Sequence, residues 1–150
     1  MLYTIIIAIL AFVLYLVFKF RSDMNAKNTE LAEEGGIKNK YKELIKSFDN
    51  YDVDKRPSIL TDKVNNYEIG WLGQTTNTKL WLNEVHNSLY VRFTLKYNKR
   101  VLREMGININ ELPNLNEQLE WKFDSRMNQT EMQEIIMQDI NTVMKKYDSV

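Results

Sequence analysis

The feature that most constrains this chain is an uninterrupted apolar run near its start. Residues Leu2 to Phe18 contain no charged side chain, and Thr4 is the only plainly polar residue among them. As a helix the run extends about 25 Å, at roughly 1.5 Å per residue, which approaches the thickness of a bilayer core. Its apolar side chains surround the helix, whereas a helix packed on a soluble core is apolar on one face. The run predicts a transmembrane anchor over residues 1–20, in contact with the lipid bilayer through residues 2–18.

A cleaved signal peptide is the main alternative to an anchor. No Lys or Arg precedes the run, and its exit, Leu16-Val17-Phe18, is too bulky for a signal-peptidase site. Basic residues follow the run at positions 19, 21 and 27, against one acidic residue at position 23. By the positive-inside rule, this bias predicts an N-terminus outside and a cytoplasmic C-terminal domain.

Residues 21–36 connect the anchor to the rest of the chain. They are polar and rich in helix formers up to the pair Gly35-Gly36, which favours a break in any helix. The connection is either a helical stalk of about 20 Å or a flexible linker, and propensity does not decide between them. The folded domain is expected over residues 37–150.

Two amphipathic helices are predicted in this domain. In the first, Ile37, Tyr41, Leu44, Ile45 and Phe48 recur on one helical face. The second begins at an Asn N-cap and has its acidic residues early and its lysines late, as the helix macrodipole favours. The signature of this second helix is the N-cap Asn128, then Glu131, then an apolar stripe at Met132, Ile135, Ile136, Ile140, Val143, Met144 and Tyr147.

Between these helices the hydrophobic period changes from that of a helix to that of a strand. Strands are predicted at 58–64, 67–72, 79–85, 88–97 and around 119–123, and a short helix at 98–105. Strand 88–97 alternates apolar and polar residues throughout, which is typical of an antiparallel sheet with one solvated face. The predicted fold class is α+β: one transmembrane helix, then a mainly antiparallel sheet of about five strands with two helices packed on one face.

Composition excludes several classes of chemistry. The chain has 150 residues, 20 basic and 20 acidic side chains, one histidine and no cysteine. Disulfides, thiol catalysis and thiolate metal sites are therefore excluded. The balanced charge argues against a nucleic-acid partner. No phosphate-binding glycine motif or nucleophile elbow occurs, so we expect no cofactor, no catalytic residues and no evident small-molecule substrate.

The nearest approach to a metal loop begins at Asn50. If Asn50 is position 1 of an EF-hand, Asp52 and Asp54 fall at positions 3 and 5, but Lys55 replaces the glycine of position 6 and Thr61 the glutamate of position 12. We therefore predict no metal site there. His86 lies in a predicted hairpin turn and is interpreted as a solvent-exposed turn residue.

Two features are candidate contact sites for a protein partner or for lipid headgroups. The densest basic stretch comprises Arg92, Lys96, Lys99, Arg100 and Arg103. Trp81 lies in a strand whose neighbours Leu80 and Leu82 occupy the opposite phase. It is either buried in a strand covered on both faces or available to a partner, and aromatic residues are enriched at binding hot spots.

The sequence favours a single-pass, membrane-anchored protein-interaction module without catalytic chemistry of its own, acting as an accessory subunit or adaptor for a protein partner. One alternative is an immunity-type binder that neutralises a toxin at the membrane. Another is an enzyme that acts at the membrane surface through Asp and Glu carboxylates alone.

Overall fold

The fold begins with a long helix and continues into an α+β domain. A computed structural model describes residues 2–49, 56–110 and 116–146. Helix α1 spans Leu2–Glu33. Its stretch from Ile5 to Glu33 is the one helix in the described ranges that is long and apolar enough to cross a membrane, and its apolar window is not buried in the protein. The described part of the chain therefore contains a single candidate membrane span, near the N-terminus.

The segment after the apolar run is helical, so the stalk alternative agrees with the structure. Along it, Met24, Lys27 and Asn28 are half-buried and Leu31 is fully buried. These positions fall on one side of the helix, because residues three or four apart share a helical face. The stalk thus packs against the domain, and Leu31 belongs to the hydrophobic core.

The glycine pair breaks the helix as its sequence predicts. Gly35 and Gly36 have φ angles of 83° and 78°, in the left-handed region that glycine adopts at little cost. Helix α2, Gly36–Lys40, and helix α3, Lys42–Phe48, follow. The single helix predicted from 37 to 48 is therefore wrong in one respect, because the chain bends at Tyr41. The Tyr41 amide still donates to Ile37 and its carbonyl still accepts from Ile45, so the apolar periodicity conceals the bend.

The strands form one antiparallel sheet in the order β1-β2-β3-β4-β5. Their bounds are Ser58–Lys63, Asn66–Leu72, Thr76–Val85, Ser88–Tyr97 and Asn116–Asp124. Strand β4 agrees with the sequence prediction at both ends. Strand β3 begins three residues earlier than predicted: the polar run Thr76-Asn77-Thr78 gives no hydrophobic signal but pairs with β4.

The remaining helices are α4, Lys99–Glu104, and α5, Gln129–Met144. The side chain of Asn98 accepts from the Val101 amide and caps α4, while that of Asn128 accepts from the Thr130 amide and caps α5. These bonds satisfy donors that a helix start leaves free.

Helices α2, α3 and α5 pack on one face of the sheet. The core lies between them and the inward side chains of the strands, including Ile69, Leu80 and Val91. Of the stripe predicted for α5, Met132, Ile136, Ile140 and Val143 are buried, Met144 is half-buried, and Tyr147 lies outside the described residues. Ile135, also placed in the stripe, is instead exposed, because it lies at the margin of the helix face. The α+β fold class is otherwise as predicted.

Candidate functional site

The sheet face opposite the helices is the candidate interaction surface. We call it the open face and define it by the side chains that alternate with the core positions of β2 to β5. The register places Glu68 opposite Trp81, Trp81 opposite Arg92, and Arg92 opposite Glu120. A row of side chains therefore crosses the four strands, with Trp81 and Arg92 at its centre.

Trp81 and Arg92 contact each other directly. The guanidinium carbon of Arg92 lies 5.1 Å from the centroid of the Trp81 ring, within the range of a cation–π contact. The Arg92 Nε also donates to Glu120 Oε1 at 2.6 Å. Trp81 is half-buried. Its core-facing neighbours Leu80 and Leu82 are fully buried, which explains the apolar residues in both phases of β3.

A second pair of a cation and an aromatic ring lies beside the first. Tyr90 is opposite Lys122 in the register, and the Lys122 Nζ lies 5.5 Å from the centroid of the Tyr90 ring. On the other side of Trp81, Lys79 Nζ lies 3.2 Å from Glu68 Oε1. The centre of the open face thus presents two aromatic rings among charges that are mostly paired.

The structure divides the predicted basic stretch in two. Arg92 and Lys96 lie on the open face, four residues apart on β4. Lys99, Arg100 and Arg103 lie on α4, which follows the end of β4. Arg100 Nε is 2.8 Å from Glu104 Oε1, so this cation is already paired. Lys96, Lys99 and Arg103 are exposed, and no ion pair forms for them within the described part of the chain.

The two ends of the sheet have different surroundings. At the turn between β3 and β4, the exposed His86 has a φ of 55°, and its ring lies edge-on to the ring of Phe20 at 5.5 Å between centroids. His86 is thus an exposed turn residue, as predicted, with one contact to the exit of the apolar run. Helix α4 is at the other end of the ten-residue strand β4, about 30 Å away at roughly 3.3 Å per residue.

A buried charge cluster joins the stalk to the sheet. The Lys40 Nζ lies 2.9 Å from Glu84 Oε1 and 3.2 Å from Glu34 Oε2. The Tyr41 hydroxyl donates to Glu84 Oε2 at 2.9 Å. Burial by itself lowers the pKa of Lys40, but the hydrogen bonds to Glu84 and Glu34 outweigh it and raise that pKa. Burial, reinforced by the Glu84 charge, raises the pKa of Tyr41.

This cluster is only weakly indicated by the sequence, because its members are distant along the chain. Glu84 is a single acidic residue on the core face of β3, where its neighbours are apolar. A charged residue in the buried phase of a strand is the one signal that indicates such a partner. Both carboxylate oxygens of Glu84 have a partner, one in Lys40 and the other in Tyr41. We therefore interpret the cluster as structural.

Within the described ranges, no group of three His, Cys, Asp or Glu side chains is placed to hold a metal ion. The first half of the loop considered above as an EF-hand, residues 50–55, lies outside those ranges. No family model, curated protein or solved structure matches the chain.

Proposed function

We propose that this protein is a single-pass, membrane-anchored interaction module that holds a protein partner at the membrane surface. The observation that carries the proposal is the continuity of α1. The apolar window within its Ile5–Glu33 stretch is not buried in the protein, while its polar half packs on the domain through Leu31. An unburied apolar helix of this length is stable in hydrocarbon and costly in water.

The open face is the proposed docking surface. Trp, Tyr and Arg are the residue types that most often dominate the energy of protein–protein interfaces, and Trp81, Tyr90 and Arg92 lie together on this face. Because Arg92 and Trp81 already contact each other, little side-chain entropy is lost when a partner binds. We therefore place the centre of the interface at Trp81.

The exposed cations at one edge indicate the chemistry of the partner. Lys96, Lys99 and Arg103 extend from the open face onto α4. Phe20 follows the apolar run and thus lies near the proposed membrane boundary, and these cations lie about 30 Å from the turn that contacts it. Charges are screened within about 8 Å in physiological salt, so this distance is too long for an interaction with lipid headgroups. This separation favours an acidic partner protein over lipid headgroups as their contact. The basic residues that follow the apolar run favour a cytoplasmic domain.

Site-specific photocrosslinking in native membranes tests the proposal. A photoreactive amino acid at Thr94, on the open face, is expected to give a discrete crosslinked species after carbonate washing of the membranes. The same amino acid at Gln138, an exposed position on α5, serves as the matched control. Adding Trp81→Ala is expected to weaken the Thr94 crosslink by more than about tenfold, because truncation of a hot-spot aromatic costs about 2 kcal/mol or more.

Three outcomes would contradict the proposal. They are loss of the protein from washed membranes, equal crosslinking from Thr94 and Gln138, and a Thr94 crosslink that is unchanged by Trp81→Ala.

A further inference from the structure

A cavity separates α2 and α3 from the edge of the sheet formed by β1 and β2. Its volume is about 730 Å³, within the range of roughly 300–1,000 Å³ that is usual for small-molecule sites. It lies on the helix-bearing side of the sheet and is therefore distinct from the open face.

The floor of the cavity is apolar. Ile45, Tyr67 and Ile69 line it and are themselves buried, with 7%, 3% and 2% of their surfaces exposed. Ile59 of the edge strand β1 forms part of the wall and is 54% exposed. An isoleucine this exposed on a cavity wall is available to bury apolar surface of a ligand.

One polar group interrupts this floor. The Tyr67 side chain lines the cavity and is almost fully buried. Burial raises the pKa of Tyr67, so the hydroxyl keeps its proton at neutral pH and is able to donate to an acceptor in the cavity. An oxygen atom of a ligand is a suitable acceptor for this hydroxyl.

The rim of the cavity is basic. Lys42, Lys46 and Arg56 line it, are exposed, and form no ion pair within the described ranges. Lys38 also lines it but is paired with Asp62, with 3.3 Å between Nζ and Oδ2. Asp49 is the single acidic lining residue in the part of the chain that the structure describes. In a chain of zero net charge, this local excess of cations is complementary to an anion.

We propose that this cavity binds a single-chain amphiphile with an anionic head group, either a carboxylate or a phosphate. The head group contacts Lys42, Lys46 and Arg56 at the rim, and the apolar chain lies on Ile45, Ile59 and Ile69. The Tyr67 hydroxyl donates to an oxygen of the ligand. A free fatty acid and a lysophospholipid with a terminal phosphate both have this chemistry.

The test uses the full chain in nanodiscs of uncharged phosphatidylcholine, with a diazirine-bearing fatty acid as the probe. After photolysis, we expect labelled peptides from the floor and the wall of the cavity, around Ile45 and Ile59. The corresponding diazirine alcohol, which lacks the negative charge, is expected to label them much less. Competition by unlabelled palmitate and by lysophosphatidic acid distinguishes a carboxylate site from a phosphate site.

Two matched variants separate a specific site from general charge attraction. The triple change Lys42→Gln, Lys46→Gln and Arg56→Gln is expected to reduce cavity labelling by about tenfold, because three individually weak exposed charge contacts are removed together. Lys96→Gln, Lys99→Gln and Arg103→Gln remove the same charge elsewhere and are expected to leave it unchanged.

A wall variant, Ile59→Gln, keeps the rim cations and is expected to lower labelling through the lost apolar contact. The exposure of Ile59 makes this change tolerable for folding, which an unchanged urea midpoint verifies.

The proposal is overturned if labelling is confined to α1, or if the acid and the alcohol label the cavity equally. It is also overturned if the two triple variants reduce labelling of the cavity by the same factor. Each of these results is independent of whether a protein docks on the open face.

Discussion

The buried contact between Lys40 and Glu84 makes a sharp prediction about stability. The Glu84 side chain is 1% exposed and that of Lys40 is 19% exposed, with 2.9 Å between Nζ and Oε1. Lys40→Met keeps most of the side-chain volume but removes the cation. The Glu84 carboxylate then stays buried with the Tyr41 hydroxyl as its remaining side-chain donor.

The magnitude follows from this environment. Removing one partner of a buried ion pair typically costs 3–5 kcal/mol, because the other charge is left without compensation. Lys40 is partly exposed and Glu84 retains the bond from Tyr41, so we expect the lower end, about 3 kcal/mol. At an m-value of roughly 2 kcal/mol per molar urea, the unfolding midpoint falls by about 1.5 M.

Urea denaturation of the full chain in a non-ionic detergent measures this change. Tryptophan emission reports domain unfolding, because Trp71 is 4% exposed in the folded state. Arg100→Met is the matched control, since it breaks an exposed pair with Glu104 whose side chains are 87% and 60% accessible. Its cost is expected to stay below about 0.5 kcal/mol.

A double variant tests the mechanism rather than the size of the effect. Adding Glu84→Gln to Lys40→Met removes the uncompensated charge and is expected to recover at least about 1 kcal/mol of the lost stability. The reasoning is refuted if Lys40→Met costs no more than Arg100→Met, or if Glu84→Gln brings no recovery.

Two further predictions concern the same region and the glycine break. Tyr41→Phe removes a donor to Glu84 and is expected to cost about 1.5 kcal/mol at pH 7. The pKa of Tyr41 is raised in the folded state, so the hydroxyl contributes fully to stability below its unfolded pKa of about 10, and this contribution is lost as the pH rises further. Above pH 10, Tyr41→Phe is therefore expected to lose stability less steeply than the wild-type protein. Urea midpoints from pH 8 to 11 measure this difference. Gly36→Ala is expected to cost about 1–2 kcal/mol from positive φ, plus a term for the added Cβ at 3.2 Å from the Val64 carbonyl oxygen. Gly106→Ala has the same φ of 78° and open space around its Cβ, so equal urea midpoints for the two variants would exclude that extra term.

Much of the fold could be predicted from local patterns. The alternation in β4, the break at Gly35-Gly36 and the Asn128 cap each depend on residues close together in sequence. The bend at Tyr41 could not be predicted, because the amphipathic period continues across it.

The candidate sites depend on sequence-distant contacts. The sequence identified Trp81 and Arg92 separately, but only the strand register shows that they stack. The four-residue spacing of Lys38, Lys42 and Lys46 indicates a basic helix stripe. The apolar floor beneath this stripe could not be predicted from the sequence, because it forms only when β1 and β2 pack opposite the helices.

The unbroken helix from Leu2 to Glu33 has a mechanical consequence. Its C-terminal end is held on the domain by Leu31 in the core and by the ion pair between Glu34 and Lys40. The helix is continuous, so there is no flexible joint between its apolar run and the domain. Under the proposed membrane anchoring, any tilt that a thinner or thicker bilayer imposes on α1 is passed on as a rotation of the whole domain. In that arrangement, the thickness of the bilayer sets the orientation of the α+β domain.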